Sequence, residues 1–123
     1  MPTLVFDEVD AGIGGEAALA VGRSLAALGR DHQVLVVTHL AQVAAFADQQ
    51  VVVEKHEAAG RTVSTAAVAE GEDRVRELAR MLSGHPDAAA ARSHAEELLR
   101  VATALRAPKP ASGASGADAM GAA

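Results

Sequence analysis

Three acidic residues follow one short apolar run near the start of the chain. The stretch TLVFDEVDAGIGGE spans residues 3–16, and its apolar run ends directly before Asp7 and Glu8, with Asp10 two positions further on. Carboxylates are costly to bury unless something binds them. An Asp at the end of a strand can hold Mg²⁺, directly or through water. A Glu immediately after it points elsewhere and can polarise an attacking water.

A hydroxyl and an imidazole follow a second apolar run. Residues 33–39 read QVLVVTH, which predicts a buried strand that ends at Thr38 and His39. Ligands of open parallel sheets bind at the carboxyl ends of the strands. We therefore expect Asp7 and Glu8 to share one sheet edge with Thr38 and His39, where the imidazole could reach a terminal phosphate or a water. This pattern predicts metal-assisted nucleotide hydrolysis, although the acid pair alone would also suit a solvated turn without chemistry.

The elements that would position these residues alternate between strands and helices. Strands are predicted at 4–6, 33–39, 49–57 and 61–70, and helices at 16–28, 40–47, 72–82 and 87–105. This order predicts an α/β fold. The first two strands should be parallel, central and covered on both faces, because each is a continuous apolar run.

Four local features complete these expectations. Thr38 is the expected cap of the second helix. The segment 58–60 should form a hairpin turn, and the valine run 51–53 should lie in the sheet core. The arginines at positions 74, 76 and 80 alternate with acids, which favours a solvated helix face over a phosphate-binding site.

Composition narrows the classes of protein that the chain can represent. It has 123 residues, a net charge of −5 and no cysteine, tryptophan or tyrosine. The charge argues against a dominant nucleic-acid surface, and stacking platforms for single strands are missing. The lack of cysteine excludes thiolate metal sites and suits a reducing compartment. We expect one domain over 1–106, a disordered tail of Ala, Gly, Ser and Pro over 107–123, and a cytoplasmic protein without a membrane span.

Three sequence stretches resemble one ATPase superfamily. LVFDEVD resembles the Walker B motif and the start of the D-loop of ABC-type ATPases, and VLVVTHLAQVAAFAD resembles their H-loop and the helix after it. Together with ELARMLSG…AEELL, these motifs occur in the order found in the SMC-like DNA repair ATPases of that superfamily. The resemblance covers residues 3–100.

The resemblance implies the C-terminal part of an ABC-type, P-loop NTPase-like ATPase head, with parallel core strands, flanking helices and a hairpin. It implies ATP and Mg²⁺ as cofactors, with Glu8 as the catalytic glutamate and His39 as the switch histidine. Asp7 would be the Walker B aspartate and the metal ligand. The cofactor-binding positions would be Asp7, Asp10, Gly12, Gly14 and Thr38. Asp10 and the glycines after it would form the D-loop, which faces the opposite subunit of an ATP-sandwiched dimer.

The chain departs from that superfamily in what it lacks. It contains no G-x-x-x-x-G-K-[ST] loop, no ABC signature sequence and no coiled-coil heptads. We therefore expect the last part of a longer DNA repair protein that acts in double-strand-break recombination at the bacterial nucleoid. Its partners would be an N-terminal ATPase half with Walker A, a second head and, indirectly, DNA. The isolated chain is expected to be inactive.

Other functions remain open at this point. The chain could be an interaction module without enzymatic activity, or a receiver-like domain that accepts a phosphoryl group. A receiver would also place acids at strand ends, but no lone Asp or Lys follows a later strand as such domains require. Residues 12–17 match G-x-G-x-x-A, yet five residues separate them from the strand, and Glu16 would repel a pyrophosphate at the helix start.

Overall fold

The structure is a computed structural model that describes residues 2–8 and 12–106. The described residues form mixed α/β structure, which confirms the predicted class at that level. In chain order the elements are β1 (Thr3–Asp7), α1 (Gly15–Leu28), β2 (Gln33–Val37), α2 (Ala41–Ala44), β3 (Gln50–Ala58), β4 (Arg61–Ala69), α3 (Glu72–Ser83) and α4 (Ala89–Leu105). The predicted tail, 107–123, lies outside the described residues.

The first two strands pair in parallel, as predicted. Their register runs from Thr3 opposite Gln33 to Asp7 opposite Val37, and α1 connects them. The expectation that this sheet is central and covered on both faces is wrong for the described residues. The sheet there has two strands, and the outward side chains of Val5, Leu35 and Val37 are 66%, 51% and 56% exposed. The apolar runs suit a strand with two covered faces, but nothing described here covers the second one.

The second sheet is the antiparallel hairpin of β3 and β4. Its turn consists of Ala59 and Gly60, whose φ angles of 52° and 75° are both positive, as a type I′ turn requires. The valine run is not in a core, contrary to prediction, because strand side chains alternate between two faces. Val52 is half-buried, whereas Val51 and Val53 are exposed.

The core lies where α3, α4 and the segment around α2 meet. Phe46 and Leu78 are the largest fully buried side chains, and most of their neighbours in the core are alanines. The helical spacing of apolar residues predicts inward faces on α3 and α4, and six of these residues are buried: Val75, Leu78, Ala79, Ala95, Leu98 and Ala102. The same spacing includes Leu82, which is half-buried, and Leu105, which is exposed, contrary to prediction. Small side chains let the helices approach closely, so a chain with 30 alanines can still exclude water from this core.

The end of α3 agrees with its sequence signal. α3 ends before Gly84, whose φ of 81° is the left-handed conformation that glycine favours after a helix. Every helix within residues 2–8 and 12–106 falls short of the length and hydrophobicity that a membrane crossing requires.

Candidate functional site

The parallel register places the two predicted groups of polar residues at one edge of the sheet. Asp7 is the last residue of β1, and its register partner Val37 is the last residue of β2. Glu8 follows the first strand, and Thr38 and His39 follow the second. The expected convergence of acids, hydroxyl and imidazole at a carboxyl edge is therefore present in the backbone topology.

Glu8 has an unusual backbone conformation at this edge. Its φ angle is 57°, in the left-handed region that residues with a side chain seldom adopt. Its N–H donates a hydrogen bond to the carbonyl oxygen of Val37 at 3.0 Å, so the residue is tied to the end of the neighbouring strand. Strained conformations of this kind persist where the surroundings determine them, and they cluster at functional sites.

On the second strand end, the side chain of Thr38 organises the backbone that follows it. The N–H of Leu40 donates to Thr38 Oγ1 at 3.0 Å, which turns the chain into α2. The N-cap of α2 is Leu40, so the prediction that Thr38 caps this helix is wrong by two positions. Thr38 is half-buried and His39 is exposed. The imidazole is thus presented to solvent from a segment whose backbone is held.

Two glycines lie in the loop between β1 and α1. Gly12 has a φ of 81°, and Gly14 is the extended N-cap residue of α1. Both are exposed, and a Cβ added to either would meet no atom within 4 Å. A loop that faces a partner needs such open space beside its backbone. Asp10, predicted as a cofactor-binding residue of the same loop, lies outside the described residues.

The acidic edge is open to solvent. Asp7 and Glu8 are both exposed, and within the described residues no group of three His, Asp or Glu side chains could hold a metal ion by itself. This donor set still suits Mg²⁺, which proteins bind with one or two carboxylates while substrate phosphates and waters complete the shell. Asp7 is therefore suited to a metal that arrives with a nucleotide.

Two open clefts among the described residues include none of the predicted site residues. One lies between the hairpin and α3, where Val52, Thr65, Arg76 and Arg80 form part of its wall. The other is a shallow groove between Phe6 and α1. Neither gives the acidic edge an enclosing wall.

Arg74 is the residue whose role sequence reasoning missed. Arg80 does pair with Glu77 on the solvated face of α3, at 2.6 Å, and Arg76 pairs with Asp87. Arg74 instead turns inward, is half-buried and donates to backbone carbonyls at the end of α2. Its spacing to Leu78 and Met81 is helical, which places it on the buried face of α3 and could have indicated this position.

The fold and the site together define a mixed α/β protein with a pair of acids and a histidine at a parallel sheet edge. No family model matches the chain. It is 60% identical over 106 residues to the DNA repair protein RecN of Streptomyces coelicolor, covering 86% of this chain and 18% of that protein. It is 56% identical over 98 residues to RecN of Deinococcus radiodurans, covering 80% and 17%. RecN of Mycobacterium tuberculosis is 54% identical over 100 residues, covering 81% and 17%.

These similarities show that the chain belongs to the RecN family, as a segment of it. The chain spans less than a fifth of the length of the relatives that it matches.

Proposed function

We propose that this chain is the C-terminal portion of the ATPase head of a RecN-like DNA repair protein, with an ABC-type fold and a site for Mg-ATP hydrolysis. The similarity to RecN proteins supports the repair role. The process would be recombinational repair of double-strand breaks at the bacterial nucleoid. The net charge of −5 supports indirect DNA contact, through other parts of the full-length protein.

The observation that carries the hydrolysis proposal is the shared strand edge. The bond from Glu8 N–H to the Val37 carbonyl holds the acid pair against the strand end that leads to His39. Asp7 would hold Mg²⁺, which would neutralise phosphate charge when bound. Glu8 would accept a hydrogen bond from the attacking water and orient it. Thr38 and His39 would contact the terminal phosphate from the neighbouring strand.

The loop after the acids would serve a second ATPase head. Asp10, Gly12 and Gly14 would form this D-loop and contribute to the nucleotide site across a head-to-head dimer. The open space around both glycines supports the proposal, because backbone can approach backbone closely there.

A missing partner lobe would complete both the sheet and the site. Val5, Leu35 and Val37 expose one apolar face of the β1–β2 sheet. The relatives are more than five times longer than the segment matched here, so they contain ample chain to cover this face. We assign the cover to the N-terminal ATPase half, which would also supply the phosphate-binding loop that this chain lacks.

The test uses a chimera in which residues 1–106 replace the matching segment of the Streptomyces coelicolor RecN protein. Glu8→Gln should slow ATP hydrolysis by roughly 10²–10⁴-fold, because glutamine cannot accept the proton that the water loses. Nucleotide binding should persist, since Asp7 is unchanged. Steady-state ATPase assays and equilibrium binding of a fluorescent ATP analogue measure the two effects.

The matched control is Glu16→Gln, which removes an exposed carboxylate from the first turn of α1. It should leave hydrolysis at the level of the unmodified chimera. Equal turnover of the Glu8→Gln and Glu16→Gln chimeras would contradict the role of Glu8. A folded chimera without ATPase activity, beside an active Streptomyces protein, would contradict the function as a whole.

A second assay distinguishes a receiver-like domain from an ATPase segment. Incubation with acetyl phosphate and Mg²⁺ would give a receiver domain an acid-labile phosphoryl group, whereas an ATPase segment should gain none.

A further inference from the structure

Arg74 joins α3 to the end of the segment that begins at His39. Its Nη2 donates to the carbonyl oxygens of Ala47 at 2.8 Å, Ala44 at 3.1 Å and, more weakly, Ala45 at 3.4 Å. Its Nε donates to Gln50 Oε1 at 3.2 Å. One guanidinium therefore contacts the end of α2, the turn after it and the start of β3.

The chemistry of this contact suits arginine in particular. The last carbonyls of a helix have no partner within the helix and need donors from elsewhere. A guanidinium offers five N–H donors in a rigid plane, and its positive charge is favourable at a helix C-terminus. Burial lowers the pKa of Arg74, the nearby charge of Arg106 lowers it further, and Asp48 opposes both. An arginine remains charged at neutral pH in spite of such a shift.

The segment that Arg74 binds begins at His39, in the candidate site. α2 is a single turn, and Ala41, Val43 and Phe46 are buried in or beside the core. His39 lies two residues before this turn and is exposed. Because this segment is short and packed, we expect a shift at its C-terminal end to change the position of the imidazole.

Two further contacts hold the residues that directly follow this segment. Arg106, at the end of α4, forms an ion pair with Asp48, and the side-chain amide of Gln50 lies 3.6 Å from Met81 Sδ on α3. Arg74 makes the most extensive of these contacts and is the member bonded to α2 itself.

We propose that Arg74 is a positioning residue for His39, acting through its hydrogen bonds to the α2 terminus. This inference rests on the proposed function, because it gives a consequence for catalysis only where His39 takes part in hydrolysis. Arg74 itself touches no reacting atom.

The test compares three variants in the chimera described above. Arg74→Met keeps the length and apolar stem of the side chain but removes every donor. Arg74→Lys keeps the charge but, as a point donor, cannot bond to several carbonyls in one plane. Arg76→Met is the matched control, since Arg76 lies on the same helix as Arg74 but pairs with the exposed Asp87.

The first measurement is hydrogen–deuterium exchange of the peptide that contains residues 39–47. Arg74→Met should raise exchange in this peptide while peptides from α4 stay protected, and Arg74→Lys should give an intermediate rise. Arg76→Met should leave the peptide unchanged. Unaltered protection of residues 39–47 in a folded Arg74→Met chimera would overturn the proposal.

The second measurement is a double-mutant cycle on hydrolysis. Arg74→Met should lower kcat about 10- to 100-fold, by displacing a catalytic group, and change KM little. Lysine should restore part of kcat. In a His39→Ala background, Arg74→Met should have no further effect on kcat, because the group that it positions is already gone. Multiplicative losses of kcat would mean that Arg74 acts independently of His39, which would overturn the inference.

The outcomes separate this inference from the function on which it rests. If His39→Ala leaves hydrolysis unchanged, the role of His39 is wrong and the Arg74 inference falls with it. If His39→Ala slows hydrolysis and Arg74→Met does not, the inference about Arg74 alone is wrong. If Arg74→Met does not fold, both measurements are made on Arg74→Lys instead. Normal exchange together with normal kcat in that variant would overturn the inference.

Discussion

Glu8 combines a candidate catalytic side chain with a backbone conformation that favours glycine. A left-handed conformation costs a residue with a Cβ about 1–2 kcal/mol. Glycine avoids this cost, but its unfolded state has more conformational freedom, which offsets about 0.5–1 kcal/mol of the gain. The φ of 57° at Glu8 therefore carries a cost in stability, which the catalytic role proposed for its carboxylate would account for.

Because of this strain, we expect one substitution at Glu8 to raise the stability of the chain while it lowers the activity. Glu8→Gly in the 123-residue chain should raise the free energy of unfolding by up to about 1 kcal/mol. Glu8→Gln retains the strain and should leave stability unchanged, while both changes should impair hydrolysis in the chimera. Urea denaturation followed by circular dichroism measures the difference. A glycine variant less stable than the glutamine variant would show that the conformation is not strained.

At this scale the sequence predicted which residues share a sheet edge but not how they are held. The position of Asp7 and Glu8 at the same sheet edge as His39 followed from two apolar runs with polar ends, because parallel strands bring their carboxyl ends to one edge. The left-handed φ of Glu8 and the inward turn of Arg74 depend on contacts with residues 24 to 30 positions away. Local periodicity carries no information on such contacts.

Among the elements, α1 and the segment after α2 pack at unusually short range. Gly22 of α1 is buried, and a Cβ placed there would lie 2.5 Å from Phe46 Cδ2 and 3.1 Å from the carbonyl oxygen of Gln42. Phe46 is fully buried, so its ring cannot simply swing into solvent. A glycine inside a helix is normally destabilising, but here it permits the contact between α1 and the segment after α2.

Gly22→Ala should therefore destabilise the chain although alanine favours helix. Overpacking costs about 1–3 kcal/mol, against roughly 1 kcal/mol gained in helix propensity. Gly29→Ala is the control, because Gly29 has a right-handed φ of −67° and its nearest contact would be an ordinary 3.4 Å. Thermal unfolding should give a lower Tm for Gly22→Ala than for Gly29→Ala. The reverse order would mean that Phe46 moves aside at little cost.

The bounds of the helices were easier to predict from the sequence than the burial of the strands. α1 and α3 lie within one residue of their predicted bounds, because amphipathic spacing and the glycines at 29 and 84 mark them locally. The predicted helix 40–47 is shorter in the structure, where α2 ends at Ala44. For the valine run, an apolar stretch predicts burial on both faces, yet whether a second layer covers the strand depends on chain outside it.

For the whole molecule, the predominance of acids over bases bears on ligand binding by the isolated chain. Phosphate affinity in nucleotide sites comes mainly from backbone N–H groups and a lysine in a glycine-rich loop, a motif that the sequence lacks. The exposed Asp7 and Glu8 would repel a polyanion. We therefore expect no ATP affinity in the micromolar range or tighter, which isothermal titration calorimetry of the 123-residue chain checks. Micromolar binding without a partner would contradict the assignment as one part of a head.

The exposed sheet face leads to a prediction about assembly. Val5, Leu35 and Val37 present branched apolar side chains on β1 and β2, and among the described residues neither strand has a neighbour on its outer edge. Exposed apolar faces and open strand edges both favour association. If the N-terminal ATPase half covers this face, adding that half of the Streptomyces protein in trans should raise the Tm of the 123-residue chain.

Leu35→Lys tests whether this face is the one covered. Leu35 is half exposed in the chain alone, so the change should alter its own stability by no more than about 0.5 kcal/mol. Association would bury the exposed half of Leu35, so losing it costs about half of the roughly 1.5–3 kcal/mol of a full leucine side chain and should weaken binding to the N-terminal half by roughly 3- to 10-fold, before the added charge is counted. Sedimentation velocity over a concentration series measures this affinity. Ser93→Lys, at an exposed position on α4, is the control for the added charge. Equal affinities of the two variants would mean that the partner binds elsewhere, and that the β1–β2 face stays open in the assembled protein.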